Sequence, residues 1–152
     1  MKRLAIISDT HGLLRSPVLE RLREADAILH AGDVSSPDVL EELQDLGKDL
    51  YLVRGNNDWL WGSRLPHTLT FTIEGVTFFL VHDQRDVPRR LDGVDVVVYG
   101  HSHQYAQEER SGALWLNPGS CGPRRFRQDI TMAVMTVDGG RYQVARIDIP
   151  ET

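Results

Sequence analysis

Seven side chains that can bind metal ions follow short apolar segments of this chain. They are Asp9, His11, Asp33, Asn56, His82, His101 and His103. Imidazole, carboxylate and amide donors suit Mn²⁺, Fe, Ni²⁺, Zn²⁺ or Co²⁺, and the lack of thiolates in the set argues against a closed structural zinc site. Seven donors exceed one tetrahedral shell. If one carboxylate bridges, they fit two metal ions about 3.5 to 4 Å apart, an arrangement that promotes hydrolytic attack on phosphate esters.

The spacing of the donors supports a shared site. Asp9 and His11 are two residues apart, and so are His101 and His103. In an extended segment such residues point to the same side, so we expect each pair to converge. One Asp-x-His pair alone is more typical of a capped turn than of a metal ligand. Five strand ends in series, each carrying such groups, indicate a metal centre.

The segments that precede the first donors predict a parallel α/β unit. Apolar strands are expected at residues 4–7, 27–31 and 50–53, and Ser16-Pro17 and Ser36-Pro37 signal the starts of two amphipathic helices between them. Ligands of open α/β sheets collect at the carboxyl ends of the strands. The strand order therefore predicts that the donors meet at one edge.

The second part of the chain predicts mostly antiparallel structure. Three hairpins are expected from alternating β-prone runs joined by Gly-containing turns, at 68–73 with 76–81, 104–110 with 113–116, and 130–137 with 142–149. A further strand is expected at 94–99, and a short helix at 86–91. With a length of 152 residues, the whole chain, 1–152, is predicted to form a single α/β domain.

Composition limits the classes of function. The chain has 41% hydrophobic and 26% charged residues, as in a soluble globular protein, and no apolar run approaches the ~18 residues of a membrane span. A net charge of −5 argues against a processive nuclease. The segment after Met1 is too short in apolar residues for a signal peptide, and the lone Cys121 is compatible with a reducing compartment. We therefore expect a cytoplasmic protein.

The complete series of motifs resembles the calcineurin-like metallophosphoesterase superfamily. The motifs are Asp9-x-His11, Gly32-Asp33, Gly55-Asn56-x-Asp58, His82 and Gly100-His101-x-His103. The opening Ser8-Asp9-Thr10-His11-Gly12, with Asn117-Pro118-Gly119-Ser120 and Pro123-Arg124 later, resembles the small YfcE-type phosphodiesterase branch of bacteria and archaea. The resemblance covers nearly the whole chain.

This resemblance implies a fold and a mechanism. The fold would be a two-sheet β-sandwich flanked by helices, in four αββα layers. Asp9, His11 and His103 would bind one divalent metal ion, with Asn56, His82 and His101 on the other and Asp33 bridging both. Catalysis would rest on Asp33, Asn56, His82 and His101, with Mn²⁺ as the expected metal and a metal-bridged water or hydroxide attacking phosphorus. The substrate would be a small phosphodiester.

Two positions depart from the family pattern. Phosphomonoesterases of the family often carry a histidine after the Gly-Asn pair, where it can protonate the leaving oxygen, but this chain has Asn57. The small phosphodiesterase branch often has cysteine there. Many relatives also read His-Gly-His where this chain has His82-Asp83-Gln84. The departures leave the general acid unidentified and favour esters whose leaving group departs easily.

Structural roles are expected for several other polar residues. For His30 we predict a supporting hydrogen bond, and for His67 no function. For Asp58 we predict a backbone cap after Asn56, with the orientation of a ligand as the alternative. Within the basic cluster of Arg124, Arg125 and Arg127, Arg124 is the candidate for phosphate contact. Trp59 and Trp61 could line a substrate pocket, pack in the core or form a subunit interface.

Two other functions stay open beside the dimetal phosphodiesterase. One is a non-catalytic protein-binding scaffold, because a eukaryotic relative of this branch serves in the retromer coat and has lost metal-site residues. The other is a cyclic-nucleotide phosphodiesterase or nuclease. No membrane partner is expected, and the oligomeric state is open, a homo-oligomer included.

Overall fold

A computed structural model describes residues 1–58, 64–125 and 128–150 of the chain. Trp59, Trp61 and Arg127 lie outside the described residues. Ten strands, two α-helices and one 3₁₀ turn are formed by the part that is described. In chain order they are β1 (Lys2–Ile7), α1 (Ser16–Glu24), β2 (Ala27–His30), α2 (Pro37–Asp45), β3 (Asp49–Leu52), β4 (Thr68–Ile73), β5 (Val76–Val81), the 3₁₀ turn (Gln84–Asp86), β6 (Val96–Val98), β7 (Ala106–Arg110), β8 (Ala113–Asn117), β9 (Thr131–Asp138) and β10 (Arg141–Asp148).

The strands form two five-stranded mixed sheets. The first has the order β10-β9-β1-β2-β3, and the second has the order β4-β5-β6-β8-β7. Strands β1, β2 and β3 are parallel, which confirms the prediction from the strand and helix order. The three predicted hairpins are also confirmed, as β4-β5, β7-β8 and β9-β10. Strands β5, β6 and β8 are parallel to one another.

The two sheets pack face to face around the main core. Alternate residues of β1 and β5, among them Leu4, Ile6 and Phe78, are fully buried between the sheets. Helices α1 and α2 cover the outer face of the first sheet through Val18, Leu22 and other apolar side chains. The predicted α/β sandwich of two sheets with flanking helices is therefore confirmed.

The outer face of the second sheet is covered differently from the first. The predicted helix at 86–91 is wrong, because only the 3₁₀ turn Gln84–Asp86 forms there. Val87 follows this turn with φ −73° and ψ 129°, an extended conformation. Pro88 explains it, since the proline ring disfavours helical backbone at the preceding residue. Val87 and Leu91 nevertheless pack against the buried Phe79 and Val97 of this face.

Candidate metal centre

All seven predicted donors lie at the carboxyl ends of strands, and the structure brings them together. Asp9 and His11 follow β1, Asp33 follows β2 and Asn56 follows β3 in the first sheet. His82 follows β5, and His101 and His103 follow β6 in the second sheet. Because the two sheets face each other, the ends of five strands converge on one site.

The first group of donors consists of Asp9, His11 and His103, whose ligand atoms lie within 4.8 Å of one another. The Oδ1 atom of Asp9 lies 3.4 Å from Nε2 of His103 and 3.6 Å from Nε2 of His11. The two imidazole nitrogens are 3.3 Å apart. This geometry points one oxygen and two nitrogens at a common centre.

The second group consists of Asp33, His82 and His101, again with ligand atoms within 4.8 Å of one another. Nε2 of His82 lies 3.4 Å from Oδ2 of Asp33 and 3.2 Å from Nδ1 of His101. The side-chain oxygen of Asn56 lies 3.0 Å from the same His82 nitrogen. Asn56 therefore belongs spatially to this second group.

Asp33 lies between the two groups. Its Oδ2 atom is 3.6 Å from Nε2 of His11 in the first group and 3.4 Å from Nε2 of His82 in the second. Both oxygens also accept hydrogen bonds from Asn57, Oδ1 from the backbone N–H at 2.8 Å and Oδ2 from the side-chain amide at 3.0 Å. The carboxylate is thereby held in the position that a bridging ligand requires.

The donors fit divalent metal ions, because Asp9 leaves one buried oxygen without a partner. Asp9 is fully buried, and its Oδ1 has no hydrogen-bond partner among the described residues. An unpaired buried carboxylate oxygen is costly, and three imidazole nitrogens, of His11, His82 and His103, lie within 3.9 Å of it. A cation at the centre of these atoms would satisfy the oxygen and the nitrogens together.

The donors do not converge through extended backbone, so that expectation is wrong. Asp9, His11, Asp33, His101 and His103 have φ of 55°, 45°, 61°, 74° and 64°. Residues other than glycine adopt this left-handed region rarely, and such strain persists only where the surroundings enforce it. The positive φ values turn each donor toward the centre at the point where its strand ends.

Two glycines allow the strand ends to approach this closely. A Cβ atom on Gly100 would overlap Oγ of Ser8 and lie 2.7 Å from Oδ2 of Asp9, and one on Gly55 would overlap Oδ1 and N of Asp33. Any side chain at either position would displace a candidate ligand. The glycines of the Gly-Asn and Gly-His motifs are therefore required for space.

Residues around the donors fix their orientation. His82 is tied through Nδ1 to the carbonyl oxygen of Ala31 at 2.7 Å, which leaves Nε2 for the centre. Ser8 Oγ donates to Oδ2 of Asp9 at 2.6 Å, and the backbone N–H of His101 donates to the same oxygen at 3.0 Å. Oγ of Ser35 lies 3.3 Å from Nδ1 of His11. Such outer contacts typically set the tautomer and the rotamer of metal ligands.

His30 has the supporting place that was predicted for it. The buried imidazole accepts a hydrogen bond from the backbone N–H of Gly32 through Nδ1 at 3.0 Å, and its Nε2 lies 3.0 Å from Oγ1 of Thr10. Burial lowers the pKa of His30 to about 4. A neutral imidazole with Nδ1 as acceptor must carry its proton on Nε2, so it donates to Thr10.

Sequence reasoning missed the roles of Ser8 and Asn57. Asn57 was considered only as the replacement of a general acid, whereas both of its donors hold Asp33. The signal for Ser8 and Asn57 in the sequence is a small polar residue directly beside a motif acid or amide.

Arg124 donates from Nε to the carbonyl oxygen of Gln128 at 3.1 Å and lines a cavity with Asp129 and Ile130, apart from the seven donors. The predicted phosphate contact of Arg124 stays a prediction.

Contacts between charged side chains outweigh the effect of burial on the pKa values of Asp9 and His82. Burial by itself raises the pKa of Asp9, but contacts with His103 and His11 outweigh it, so the pKa lies well below its usual range. Burial lowers the pKa of His82, and the neighbouring Asp33 and Asp9 more than offset this, which raises the pKa of His82 to about 9. Without bound metal, the site therefore holds a carboxylate beside an imidazolium.

The raised pKa of His82 predicts proton release on metal binding. Because only the neutral imidazole binds metal, metal binding at pH 7 should release about one proton from His82. For the same reason the metal affinity should rise about tenfold per pH unit up to about pH 9. Above that pH the proton is already lost and the release should vanish. Calorimetric titration with Mn²⁺ in buffers of different ionisation enthalpy measures it. Affinity that is independent of pH between 7 and 9 would contradict the assignment.

The fold and the site define a class: a two-sheet α/β protein with two groups of carboxylate and histidine donors at its strand ends. Residues 1–140 match the calcineurin-like phosphoesterase superfamily domain. The chain therefore belongs to the calcineurin-like phosphoesterase superfamily, as its motifs predicted. Neither described helix has the length and apolar character needed to cross a membrane.

Similar proteins carry phosphoesterase names or share the fold. The chain is 34% identical to a probable metallophosphoesterase of Methanothermobacter thermautotrophicus over 150 residues, which cover 90% of this chain and 86% of the relative. It is 30% identical to the phosphodiesterase YfcE of Escherichia coli, with 79% of each chain covered. The crystal structure of Vps29 from Chaetomium thermophilum superposes with a TM-score of 0.77 at 19% identity over 97% of this chain and 95% of that chain. The last likeness concerns the fold alone.

Proposed function

We propose that this protein is a dimetal-dependent phosphodiesterase that hydrolyses small phosphodiesters. The observation that carries the proposal is the position of Asp33 between two groups of donors, with Oδ2 at 3.6 Å from His11 and 3.4 Å from His82. In this proposal Asp9, His11 and His103 bind one metal ion. Asn56, His82 and His101 bind the other, and Asp33 bridges them.

Mn²⁺ is the metal we expect, with Ni²⁺, Fe, Zn²⁺ and Co²⁺ as alternatives that the same donor types accept. When bound, two such cations would lower the pKa of a water molecule and offset the charge that builds on the non-bridging phosphate oxygens. Neighbouring residues of the chain hold the candidate ligands in position. Ser8 and Asn57 hold the two carboxylates, and Ala31 orients His82.

A pocket beside the second group can receive the substrate. It has a volume of about 590 Å³ and is lined by Arg54, Gly55, Asn56, His67, His82, Asp83, Arg85, Asp86 and His101. Both the donors and the surrounding charged groups border it. An ester bound at the donors would extend its alcohol part into this space.

A cytoplasmic location, suggested by the single, buried Cys121, belongs to the same proposal.

The first test compares a diester with a monoester. Purified protein with Mn²⁺ should cleave bis(p-nitrophenyl) phosphate at least about 10²-fold faster than the same protein with chelator, because one cation provides several kcal/mol of charge stabilisation. It should also cleave the diester faster than p-nitrophenyl phosphate. The release of p-nitrophenol is followed by absorbance, with Ni²⁺, Zn²⁺ and Co²⁺ in parallel. Turnover that is unchanged by chelation would refute a metal-dependent enzyme.

A second candidate function is a protein-binding scaffold, since the fold that this chain shares with Vps29 is compatible with either function. The presence of all seven donors speaks for the enzyme, since a scaffold does not require them. Cyclic nucleotides belong to the same reaction class as the leading proposal and are included in the substrate screen. The net charge of −5 makes a long nucleic acid the less favoured substrate.

A further inference from the structure

The proposed reaction requires a proton donor that the candidate metal ligands do not provide. An alkoxide leaves phosphorus poorly, and a positioned acid contributes about 10²- to 10⁴-fold to such reactions. Asn57 cannot be that acid, because an amide does not give up a proton near neutral pH. Both donors of Asn57 are moreover engaged with Asp33, at 2.8 and 3.0 Å.

His67 lies at the edge of the same centre. In the β4-β5 hairpin Thr68, which follows His67, pairs with Val81, which precedes His82. On the other side, the carbonyl oxygen of Pro66 accepts a hydrogen bond from the backbone N–H of Arg54 at 2.8 Å. His67 is thereby placed between the ends of β3 and β5, and it lines the substrate pocket.

The other titratable groups that line this pocket are unsuited to donate a proton. A guanidinium group does not give up its proton in proteins, which excludes the arginines of the pocket as proton donors. Both carboxylate oxygens of Asp83 accept hydrogen bonds from the guanidinium of Arg85, at 2.7 to 3.2 Å, so Asp83 is engaged as an acceptor. His82 and His101 are assigned to metal binding. Asp86 contacts His67 itself, which leaves His67 as the acid.

A hydrogen bond with Asp86 orients the imidazole of His67. Nε2 of His67 lies 3.1 Å from Oδ2 of Asp86, and because a carboxylate only accepts, the imidazole donates from Nε2. The second proton of the imidazolium is then on Nδ1. Both side chains are about half exposed, at 56% and 47%, so His67 can recover its proton from water.

We propose that His67, oriented by Asp86, is the general acid that protonates the leaving oxygen of the phosphodiester, an inference that rests on the proposed function. A water oxygen bonds to phosphorus while the bond from phosphorus to the leaving oxygen breaks. The leaving oxygen keeps the electron pair and takes the proton from His67. The water releases a proton to solvent, and the neutral His67 takes one up again.

A pair of substrates with different leaving groups tests the inference. p-Nitrophenolate leaves readily without a proton, whereas phenolate is more basic and benefits from one. His67→Asn should retain kcat/KM for p-nitrophenyl methyl phosphate within about threefold and lose about 10²-fold for phenyl methyl phosphate. Asp86→Asn should show a smaller loss in the same direction. Metal content and thermal unfolding of both variants should equal those of the wild type.

The controls separate this inference from the proposed function. Asp92→Asn, which changes an exposed acid paired with Arg90 in the same segment, should leave both substrates unaffected. Equal losses on both substrates, or no loss on either, would overturn the role of His67 while leaving the phosphodiesterase in place. A wild-type enzyme that cleaves neither substrate would overturn the proposed function and the inference with it. Lost metal in His67→Asn would also overturn it, since His67 would then support the metal centre.

Discussion

Replacement of Asp33 by asparagine is expected to lower the turnover of bis(p-nitrophenyl) phosphate about 10³-fold, equivalent to about 4 kcal/mol of transition-state stabilisation. The two side chains have the same shape, so the packing around residue 33 is retained. The negative charge is lost at the one carboxylate that lies within 3.6 Å of a histidine from each group. Without that charge, two divalent cations would repel each other with less compensation.

The loss should therefore appear in metal content as well as in rate. We expect Asp33→Asn to be isolated with substantially less metal in both sites, measured by mass spectrometry after dialysis against Mn²⁺. Asp45→Asn, on the exposed side of α2, is the matched control and should behave as the wild type. Full metal content with lost turnover would contradict the bridging assignment. A variant that kept full biological activity in cells would instead support the scaffold function.

A weaker effect in the same direction is expected for single ligands of the first group. Asp9→Ala or His11→Ala should lower metal occupancy and turnover together, because both side chains face one centre. Normal occupancy with lost turnover would mean that these residues act as proton carriers and not as ligands. The comparison with Asp33→Asn distinguishes the loss of a ligand of one group from the loss of the carboxylate that lies between the two groups, within 3.6 Å of His11 and His82.

The convergence of the seven side chains could be predicted from the sequence, but the backbone conformation that turns them toward one centre could not. The donors could be found because each follows a strand, and the strand order could be predicted because apolar runs and helix start signals alternate up to Leu52. The positive φ of Asp9 and His101 has no such signal. It results from contacts between strand ends distant in the chain, as when the N–H of His101 donates to Asp9 across 92 residues.

The same limit explains why the contact between His67 and Asp86 could not be predicted from the sequence. His67 follows a proline in a loop, and nothing in its neighbourhood suggests chemistry. Its place in the same pocket as His82 follows from the β4-β5 hairpin, and its contact with Asp86 depends on a 3₁₀ turn that ends before Pro88. Pairing of this kind is tertiary information. A pattern confined to neighbouring residues does not contain it.

Replacement of Asp58 should reduce the stability of the protein. It is fully buried, and its carboxylate accepts four backbone hydrogen bonds. Oδ2 accepts from Asp33 at 2.9 Å, Val34 at 3.2 Å and Gly55 at 3.0 Å, and Oδ1 accepts from Ser35 at 2.8 Å. The loops after β2 and β3 are thus joined through one side chain. This confirms the predicted backbone cap and shows that it spans two loops.

Asp58→Asn should lower the free energy of unfolding by about 2 to 4 kcal/mol, because hydrogen bonds to a buried charge are worth about 1.5 to 3 kcal/mol each. If the amide oxygen replaces Oδ2, the amide nitrogen faces the N–H of Ser35, and two donors then oppose each other. Urea unfolding of the metal-free protein measures the change, with an unchanged slope. Asp38→Asn, exposed in the first turn of α2, should cost less than about 1 kcal/mol.

The effect of Asp58→Asn should extend to metal binding, because the cap holds Asp33 in its strained backbone. Asp33 has φ of 61°, which costs about 1 to 3 kcal/mol for a non-glycine residue and persists only where the surroundings enforce it. Weakening the bond from the N–H of Asp33 to Asp58 allows Asp33 to relax away from the position between the two groups. Metal affinity should then fall although no ligand has changed. A variant that is destabilised but binds Mn²⁺ as tightly as the wild type would show that Asn57 alone suffices to position Asp33.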